Sequence, residues 1–293
     1  MSSVELGFIR LADGLRLRYR CMEADGPTVL LLHGWPESGH AWRRVMPSLA
    51  ASGFFPLAPD LRGCGDSDKP TGGYDALTRM EDVRALVATL GVGDDPIFVA
   101  GHGDEGAEVA NAYAVSHPEE VAGLAVLSAT PGGMAGAGGP HVDWHGDFHH
   151  TPDLPELLIA PHLEAYLRHF FRAWSHDPDM LHDSDLAVYV RALSAPGALR
   201  ASLAPFRVPL LPPGINPDIP LLLLMGESDP RLDPVALDTV LAEHHGQARL
   251  ETIPRGGYWL PEERPDPVAA ALLTFFRGQH PPGLADAALP PPL

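Results

Sequence analysis

The stretch "FVAGHGDEGAEVA" (residues 98–110) joins an apolar run, a glycine-rich turn and an alanine-rich helical pattern. It predicts a buried strand that turns sharply into a helix, a geometry that can hold a catalytic nucleophile at the tip of the turn. Such a turn needs small residues on both sides. Gly103 has Gly101 two positions before it, and Asp104 has Gly106 two positions after it. Each candidate is flanked by a small residue on one side, so spacing alone leaves both open.

Strand and helix patterns alternate along most of the chain. Asp13-Gly14 separates residues 4–12 from 15–22 and predicts a hairpin. Helical patterns cover residues 76–91, 105–118, 233–246 and 265–278. Apolar runs typical of buried strands cover residues 28–34, 54–60, 97–102, 123–130, 220–227 and 248–254. This alternation predicts an α/β fold with a mostly parallel sheet covered on both faces.

The alternation stops between residues 132 and 214, where helical patterns follow one another without strands. We therefore predict a core from residues 1–131 and 215–293 and an inserted helical cap from residues 132–214. Ligands of open α/β sheets bind at the carboxyl ends of the strands, where such an insertion would close the site.

Composition excludes several classes of protein. The net charge of −18 (20 basic against 38 acidic residues) repels phosphate backbones, so we predict no nucleic-acid partner. Two lone cysteines indicate an intracellular protein rather than a disulfide framework, and we expect a cytoplasmic location. The N-terminus lacks the pattern of a signal peptide, and apolar runs are too short to cross a membrane. We expect a small-molecule substrate and leave a homodimer open.

Five further segments carry a resemblance to a known family. They are "HGWPESGHAW" (33–42), "PDLRGCGDSDKP" (59–70), "WHGDFHHTPDLPELLIA" (144–160), "MGESDP" (225–230) and "GGYWLPEERP" (256–265). Together with residues 189–207, these segments resemble the α/β-hydrolases, and most closely their epoxide hydrolase and haloalkane or fluoroacetate dehalogenase branch. The resemblance spans nearly the whole chain and implies a mostly parallel eight-stranded core with a helical cap and no cofactor.

The resemblance implies a covalent two-step reaction. An Asp attacks an electrophilic carbon, and a His oriented by an acid activates the water that hydrolyses the resulting ester. Family helices after the turn close in "HP", and counting back from His117-Pro118 favours Asp104 as the nucleophile, with one extra residue before it. The resemblance implies that Asp229 is the orienting acid, and that the backbone N–H groups of Trp35 and Glu105 form the oxyanion hole.

One position departs strongly from the family pattern. The catalytic histidine falls on Tyr258. A histidine titrates near pH ~6.5 and can accept a proton from water, whereas a tyrosine titrates near ~10 and remains a donor. Tyr258 is therefore expected to hydrogen-bond Asp229 or a ligand oxygen and to impair hydrolysis of an ester. Alternatively, it fills the space left by the lost histidine.

Four aromatic residues are candidates for substrate binding: His33, His102, Trp144 and His145. His145 matches the cap histidine of the branch and could donate a hydrogen bond, whereas the usual cap tyrosine segment reads Pro205-Phe206-Arg207 and lacks a hydroxyl. The run from His141 to His149 would place five metal ligands on one face if it were extended. Because the segment overlays a metal-free cap, we predict no metal site.

Two hypotheses from different classes follow. In the first, the chain is an epoxide-hydrolase-like enzyme with an altered Asp-Tyr-Asp site that acts on an epoxide or a related electrophile. The product would be a diol, or a rearranged, dehydrated or cyclised molecule. In the second, the chain is a catalytically silent protein that binds a small ligand under its cap. Detection of turnover, or of an ester on Asp104, would separate the two.

Overall fold

The computed structural model describes residues 3–129, 144–209, 216–232, 234–243 and 247–279. The described residues form an eight-stranded sheet in the order β1-β2-β4-β3-β5-β6-β7-β8. The strands are β1 (Glu5–Arg10), β2 (Arg16–Cys21), β3 (Thr28–Leu32), β4 (Phe55–Pro59), β5 (Ile97–His102), β6 (Val121–Leu127), β7 (Leu221–Gly226) and β8 (Ala248–Ile253).

Antiparallel pairing is confined to one side of the sheet. The hairpin predicted at Asp13-Gly14 is confirmed, because β1 pairs antiparallel with β2, and β2 pairs antiparallel with β4. All further neighbours are parallel. The carboxyl ends of the parallel strands therefore meet at one edge of the sheet, where the ends of β3 and β5 are neighbours and the end of β7 follows beyond β6.

Burial follows strand position. Every residue of β3, β5 and β7 is buried, as expected for parallel strands covered on both faces. The prediction of a buried strand at residues 248–254 is wrong in its burial, since β8 lies at the end of the sheet and most of its side chains are exposed or half-buried. An edge strand has a neighbour on one side only, so it loses part of its cover.

Helices cover both faces of the sheet, and two apolar clusters separate them from the strands. The helices of the core are α1 (Met46–Ala51), α2 (Ala76–Leu90), α3 (Gly103–Ser116), α9 (Pro234–Glu243), α10 (Leu260–Glu263) and α11 (Pro265–Gly278). Asp75 caps α2 by accepting from the N–H of Thr78, and Gly91 ends it in the left-handed conformation. None of the helices in the described part of the chain is long and apolar enough to span a membrane.

Five further helices lie between β6 and β7, and we call this segment the cap region. They are α4 (Trp144–His150), α5 (Leu154–Ile159), α6 (Leu163–Ala173), α7 (Asp183–Leu193) and α8 (Ala198–Leu203). A third apolar cluster joins them to Trp35, Tyr258 and Trp259 of the core. The cap region therefore packs over the carboxyl ends of the strands. The predicted boundaries at residues 131/132 and 214/215 lie outside the described residues.

Candidate active site

The turn between β5 and α3 is the centre of the site. Gly103 has a φ of +64°, whereas Asp104 is not among the residues with positive φ. A positive φ at the tip is the strained conformation of this type of turn. A Cβ atom at Gly103 would overlap with the Oη of Tyr258 and approach the Cα of Gly34 at 3.3 Å. Gly103 therefore occupies the tip, and glycine suits both the backbone conformation and the space.

The placement of Asp104 at the tip is wrong. Asp104 lies in the first turn of α3, which starts at Gly103. The count from His117-Pro118 required the helix to start one residue later, at Asp104. With Gly103 at the tip, Gly101 stands two positions before it, so the turn contains no extra residue. The Oδ2 of Asp104 accepts a 2.5 Å hydrogen bond from Arg231, and its buried Oδ1 has no partner among the described residues.

Arg231 is a site residue that the sequence reasoning missed. Its side chain is 5% exposed and its guanidinium lies 5.1 Å from the ring centres of both Trp174 and Tyr258. The carboxylate of Asp104 and the faces of the two rings stabilise the charged guanidinium against the effect of burial. Its position two residues after Asp229 was visible in the sequence, but a single arginine in a turn indicates no partner.

Asp229 lies in the turn after β7, as the resemblance implied. Its Oδ1 accepts a 2.9 Å hydrogen bond from the backbone N–H of Arg231. Burial raises the pKa of Asp229 to about 6, although the N–H and charge of Arg231 oppose the change. In the described residues, no hydrogen bond joins its carboxylate to the hydroxyl of Tyr258.

Tyr258 is 1% exposed and fixed through its backbone. Its N–H donates to the carbonyl of Trp174 (2.7 Å), and its carbonyl accepts from Nε2 of His102 (2.8 Å). Burial raises the pKa of its phenol well above 10, against the lowering effect of Arg231. The phenol is therefore a proton donor and not a base, and its Oη lies in the space that a side chain at Gly103 would need.

Both ring nitrogens of His33 and of His102 contact other groups of the protein. Nδ1 of His102 lies 2.8 Å from Glu37, so both of its ring nitrogens have protein partners. Burial acts to lower the pKa of His102, but the charge and hydrogen bond of Glu37 outweigh it and raise that pKa. His33 contacts the carbonyl of Gly34 (3.0 Å) and accepts from the N–H of Leu61 (3.1 Å), and burial lowers its pKa to about 4. Neither ring offers a free nitrogen to a substrate, contrary to the prediction for both.

The predicted oxyanion hole has a different arrangement. The backbone N–H of Trp35 donates a hydrogen bond of 2.9 Å to Oε2 of Glu105, so this donor is already occupied by a carboxylate. Because Gly103 is at the tip, the residue that follows the tip is Asp104, and the backbone role assigned to Glu105 belongs to Asp104 instead. Burial and the nearby charge of Asp104 raise the pKa of Glu105.

The other two predicted binding residues lie at the start of α4. His145 is buried, with its ring centre 4.9 Å from that of Trp174 and stacked at 6.4 Å on Trp35. Trp144 is 46% exposed and stacks on Phe170 at 5.7 Å, so it forms part of the outer surface of this cluster. The structure therefore brings His145 close to the site and leaves Trp144 at its edge.

The cap region does contain a half-buried phenol near this loop, although it lies outside the segment 205–207. Tyr166 on α6 contacts Nε2 of His149 at 2.7 Å. The ring of His149 lies 4.7 Å from that of Trp35, and burial lowers the pKa of His149 to about 3. A neutral histidine and a tyrosine thus lie above the loop that carries Trp35. Helical spacing could have placed Tyr166 inward, but no motif marks it.

The extended metal-binding arrangement considered for residues 141–149 is not formed where the structure describes it. Residues 144–150 are the helix α4, so positions two apart point in different directions; His141 and Asp143 lie outside the described residues. His117, Glu119 and Glu120 have ligand atoms within 4.8 Å of one another. However, Glu120 already binds Arg84 at 2.7 Å, which makes this group a poor cation site.

The raised pKa of Asp229 predicts a pH-dependent stability. Its pKa is about 6 in the folded protein against an ordinary 3.8, so the folded state retains a proton that the unfolded chain releases. This contribution to stability is fully present below pH ~4 and is lost as the pH rises to ~6, by about 3 kcal/mol. Urea denaturation should show Asp229→Asn gaining stability relative to the parent across that window. Parallel curves for the two proteins would contradict the prediction.

Comparisons with known proteins agree with this fold. Residues 27–265 match the model of the alpha/beta hydrolase fold family. The chain is 33% identical to the soluble epoxide hydrolase of Corynebacterium sp. strain C12, over 91% of this chain and 95% of that protein. It is 28% identical to a fluoroacetate dehalogenase of Burkholderia sp., over 91% and 93% of the two chains.

Solved structures give the same result. Cfl2 from Burkholderia cenocepacia is 35% identical with a TM-score of 0.80, covering 92% of this chain and 95% of that chain. The epoxide hydrolase CorEH is 31% identical with a TM-score of 0.80, covering 95% of this chain and all (100%) of that chain. The chain therefore belongs to the α/β-hydrolase fold family, in the branch of the epoxide hydrolases and fluoroacetate dehalogenases.

Proposed function

We propose that this protein is a non-hydrolytic member of the epoxide hydrolase branch, which encloses a small organic molecule between core and cap region without forming an ester with it. The observation that carries the proposal is the contact between Gly103 and Tyr258. Glycine provides no nucleophile at the tip of the turn, and the phenol occupies the space in which a nucleophile would stand.

The neighbouring groups support the same proposal. Asp104 is the nearest carboxylate to the tip in sequence, but its Oδ2 is held by Arg231. Water activation needs a base close to neutral pH, and both ring nitrogens of His102 are bonded within the protein. Attack on an electrophile therefore lacks a nucleophile at the tip, and hydrolysis of an ester lacks a free histidine, and the proposal needs no cofactor.

A cluster of aromatic rings supports a ligand site between the core and the cap region. Trp35, His145, Phe170 and Trp174 form adjoining ring contacts between the loop after β3 and the cap region. Aromatic walls with few polar groups suit a small apolar molecule that carries one or two oxygens. An epoxide or a related cyclic ether, amide or ester has this character. The net charge of −18 supports a small-molecule partner rather than nucleic acid.

A second function is favoured by one observation, the pKa of about 6 at Asp229. A buried carboxylate near neutral pKa can exchange protons with a substrate. With the phenol of Tyr258 as a donor, it would support rearrangement, dehydration or cyclisation without a covalent intermediate. In this second function, Asp229→Asn removes turnover, while Asp104→Asn does not.

The test uses the purified protein with styrene oxide, fluoroacetate and 4-nitrophenyl acetate. We expect no diol, no fluoride and no nitrophenol above buffer, and an unchanged intact mass after incubation. We expect styrene oxide to raise the melting temperature, as a ligand that binds only the folded state does. A mass increase of one styrene oxide mapped to Asp104 would overturn the proposal. An isomerised product without an adduct would favour the second function.

A further inference from the structure

Glu105 covers the donor that a ligand oxygen would use. It is the third residue of α3, its side chain is buried, and its Oε2 accepts the backbone N–H of Trp35 at 2.9 Å. Trp35 belongs to the loop after β3, and its N–H points at the carboxylate of Glu105. A ligand oxygen can therefore accept this N–H only if the carboxylate of Glu105 moves away.

A cavity beside Glu105 offers a place for that carboxylate. It has a volume of about 10 Å³, about the space of one water molecule. Its walls include Trp35, Glu105, Cys64, Ser202 and Arg79. The cavity thus joins the carboxylate in its present position to the guanidinium of Arg79 on α2.

Arg79 lacks an acceptor. It is 2% exposed, and its Nε and Nη1 have no hydrogen-bond partner among the described residues. A guanidinium out of contact with water is strongly destabilising unless a carboxylate or another acceptor binds it. The nearby carboxylate of Asp82 is already bonded to another arginine, Arg62, at 2.6 Å.

Two carboxylates border the cavity, and Glu105 is the one without a side-chain partner, since Glu37 holds Nδ1 of His102 at 2.8 Å. Burial and the charge of Asp104 raise the pKa of Glu105, and the positive charge of Arg79 acts to lower it. In its present position, Glu105 accepts from one backbone donor and lies beside a like charge, while Nε and Nη1 of Arg79 lack an acceptor among the described residues. Rotation of the Glu105 side chain would exchange the first partner for the second.

We propose that Glu105 is a two-position gate for the ligand site, a role that rests on the proposed ligand-binding function. In the free protein it covers the N–H of Trp35. When an acceptor oxygen of the ligand takes this N–H, Glu105 turns into the cavity and binds Nε and Nη1 of Arg79. The two charges neutralise each other, so the ligand oxygen must be neutral, as in an amide, a carbonyl or an epoxide, and carboxylates are disfavoured.

The experiment compares phenylacetamide with phenylacetate, which have similar shapes but differ in charge. Isothermal titration gives the Kd of each for the parent, Glu105→Ala and Arg79→Met. Glu105→Ala opens the N–H and should tighten phenylacetamide about tenfold, whereas Arg79→Met leaves Glu105 without its second partner and should weaken it about tenfold. The parent should bind phenylacetamide more tightly than phenylacetate.

Matched controls remove the same charges at exposed positions. Glu119→Ala and Arg249→Met, at side chains 71% and 53% exposed, should leave both Kd values unchanged. If Arg79→Met does not fold, Arg79→Lys serves in its place. The lysine keeps the positive charge but has a single ammonium group instead of the planar guanidinium, so it should weaken the binding of phenylacetamide to a smaller extent. In the background of Glu105→Ala, the change at Arg79 should lose its effect.

The outcomes separate the gate from the proposed function. The gate is refuted if Glu105→Ala and Arg79→Met change the Kd in the same direction, or if neither changes it. The proposed ligand-binding function would not be affected by that result. If no protein binds phenylacetamide, including Glu105→Ala with its open N–H, the gate and a ligand site at this loop both fail. Opposite directions, with the effect of Arg79 lost in the double variant, support the gate.

Discussion

Gly103→Asp together with Tyr258→His should convert this protein into a working epoxide hydrolase. The first change puts a carboxylate at the tip, and the second removes the phenol that occupies the space of its Cβ atom. The histidine supplies the missing base beside Asp229. A positioned general base contributes about 10²- to 10⁴-fold, so hydrolysis of styrene oxide should exceed that of Gly103→Asp with Tyr258→Phe, which lacks the base, by at least about 100-fold.

The variant without the base has its own expected signature. In Gly103→Asp with Tyr258→Phe, the ester formed on the carboxylate at position 103 is not hydrolysed, so intact mass spectrometry should show it accumulating with styrene oxide. Gly103→Asn together with Tyr258→His should give neither the adduct nor turnover. A folded Gly103→Asp, Tyr258→Phe variant that forms no adduct would mean that a carboxylate at the tip still cannot attack.

Glu262→Ala should cause the largest loss of stability among the changes considered for this protein. Glu262 is 1% exposed on α10, where it binds Arg43 of the core at 2.6 Å and accepts from the hydroxyl of Tyr189 in the cap region at 2.5 Å. Removing one member of a buried pair leaves the other charge uncompensated. We expect a loss of about 3 kcal/mol in the free energy of unfolding, since Arg43 keeps a second partner in Asp185.

Urea denaturation at neutral pH measures this change. Tyr189→Phe removes only the hydroxyl and should cost about 1.5 kcal/mol, because its hydrogen bond is to a charged group. Glu119→Ala, at a side chain 71% exposed, should change stability by less than about 0.5 kcal/mol. A loss below about 1 kcal/mol for Glu262→Ala would show that this buried group does not hold the cap region to the core.

The elements themselves were largely predictable. The strand at residues 97–102 and the helix at residues 265–278 were predicted with the bounds that the structure has. Apolar runs closed by glycine or proline indicate such elements because burial and backbone restriction act locally. The burial of β8 was not predictable in the same way, since a strand's position at the end of the sheet depends on its neighbours.

The site was predictable only in part. Asp229 falls in the turn after β7 because the motif and the strand end coincide. The start of α3 was predicted at residue 105 and lies at Gly103. That two-residue difference decides which residue stands at the tip, since helix patterns identify the body of a helix better than its first residue.

The sequence by itself determined the α/β fold and the absence of a histidine at position 258, because each depends on local patterns and residue identity. Only the tertiary structure decided that Gly103 holds the tip, that Arg231 takes Asp104, and that Glu105 covers the N–H of Trp35. These contacts join residues 70 and 127 positions apart. The pairing of carboxylates with donors depends on the φ angle of one glycine and on the charges that burial leaves unpaired. A local sequence pattern predicts neither of them.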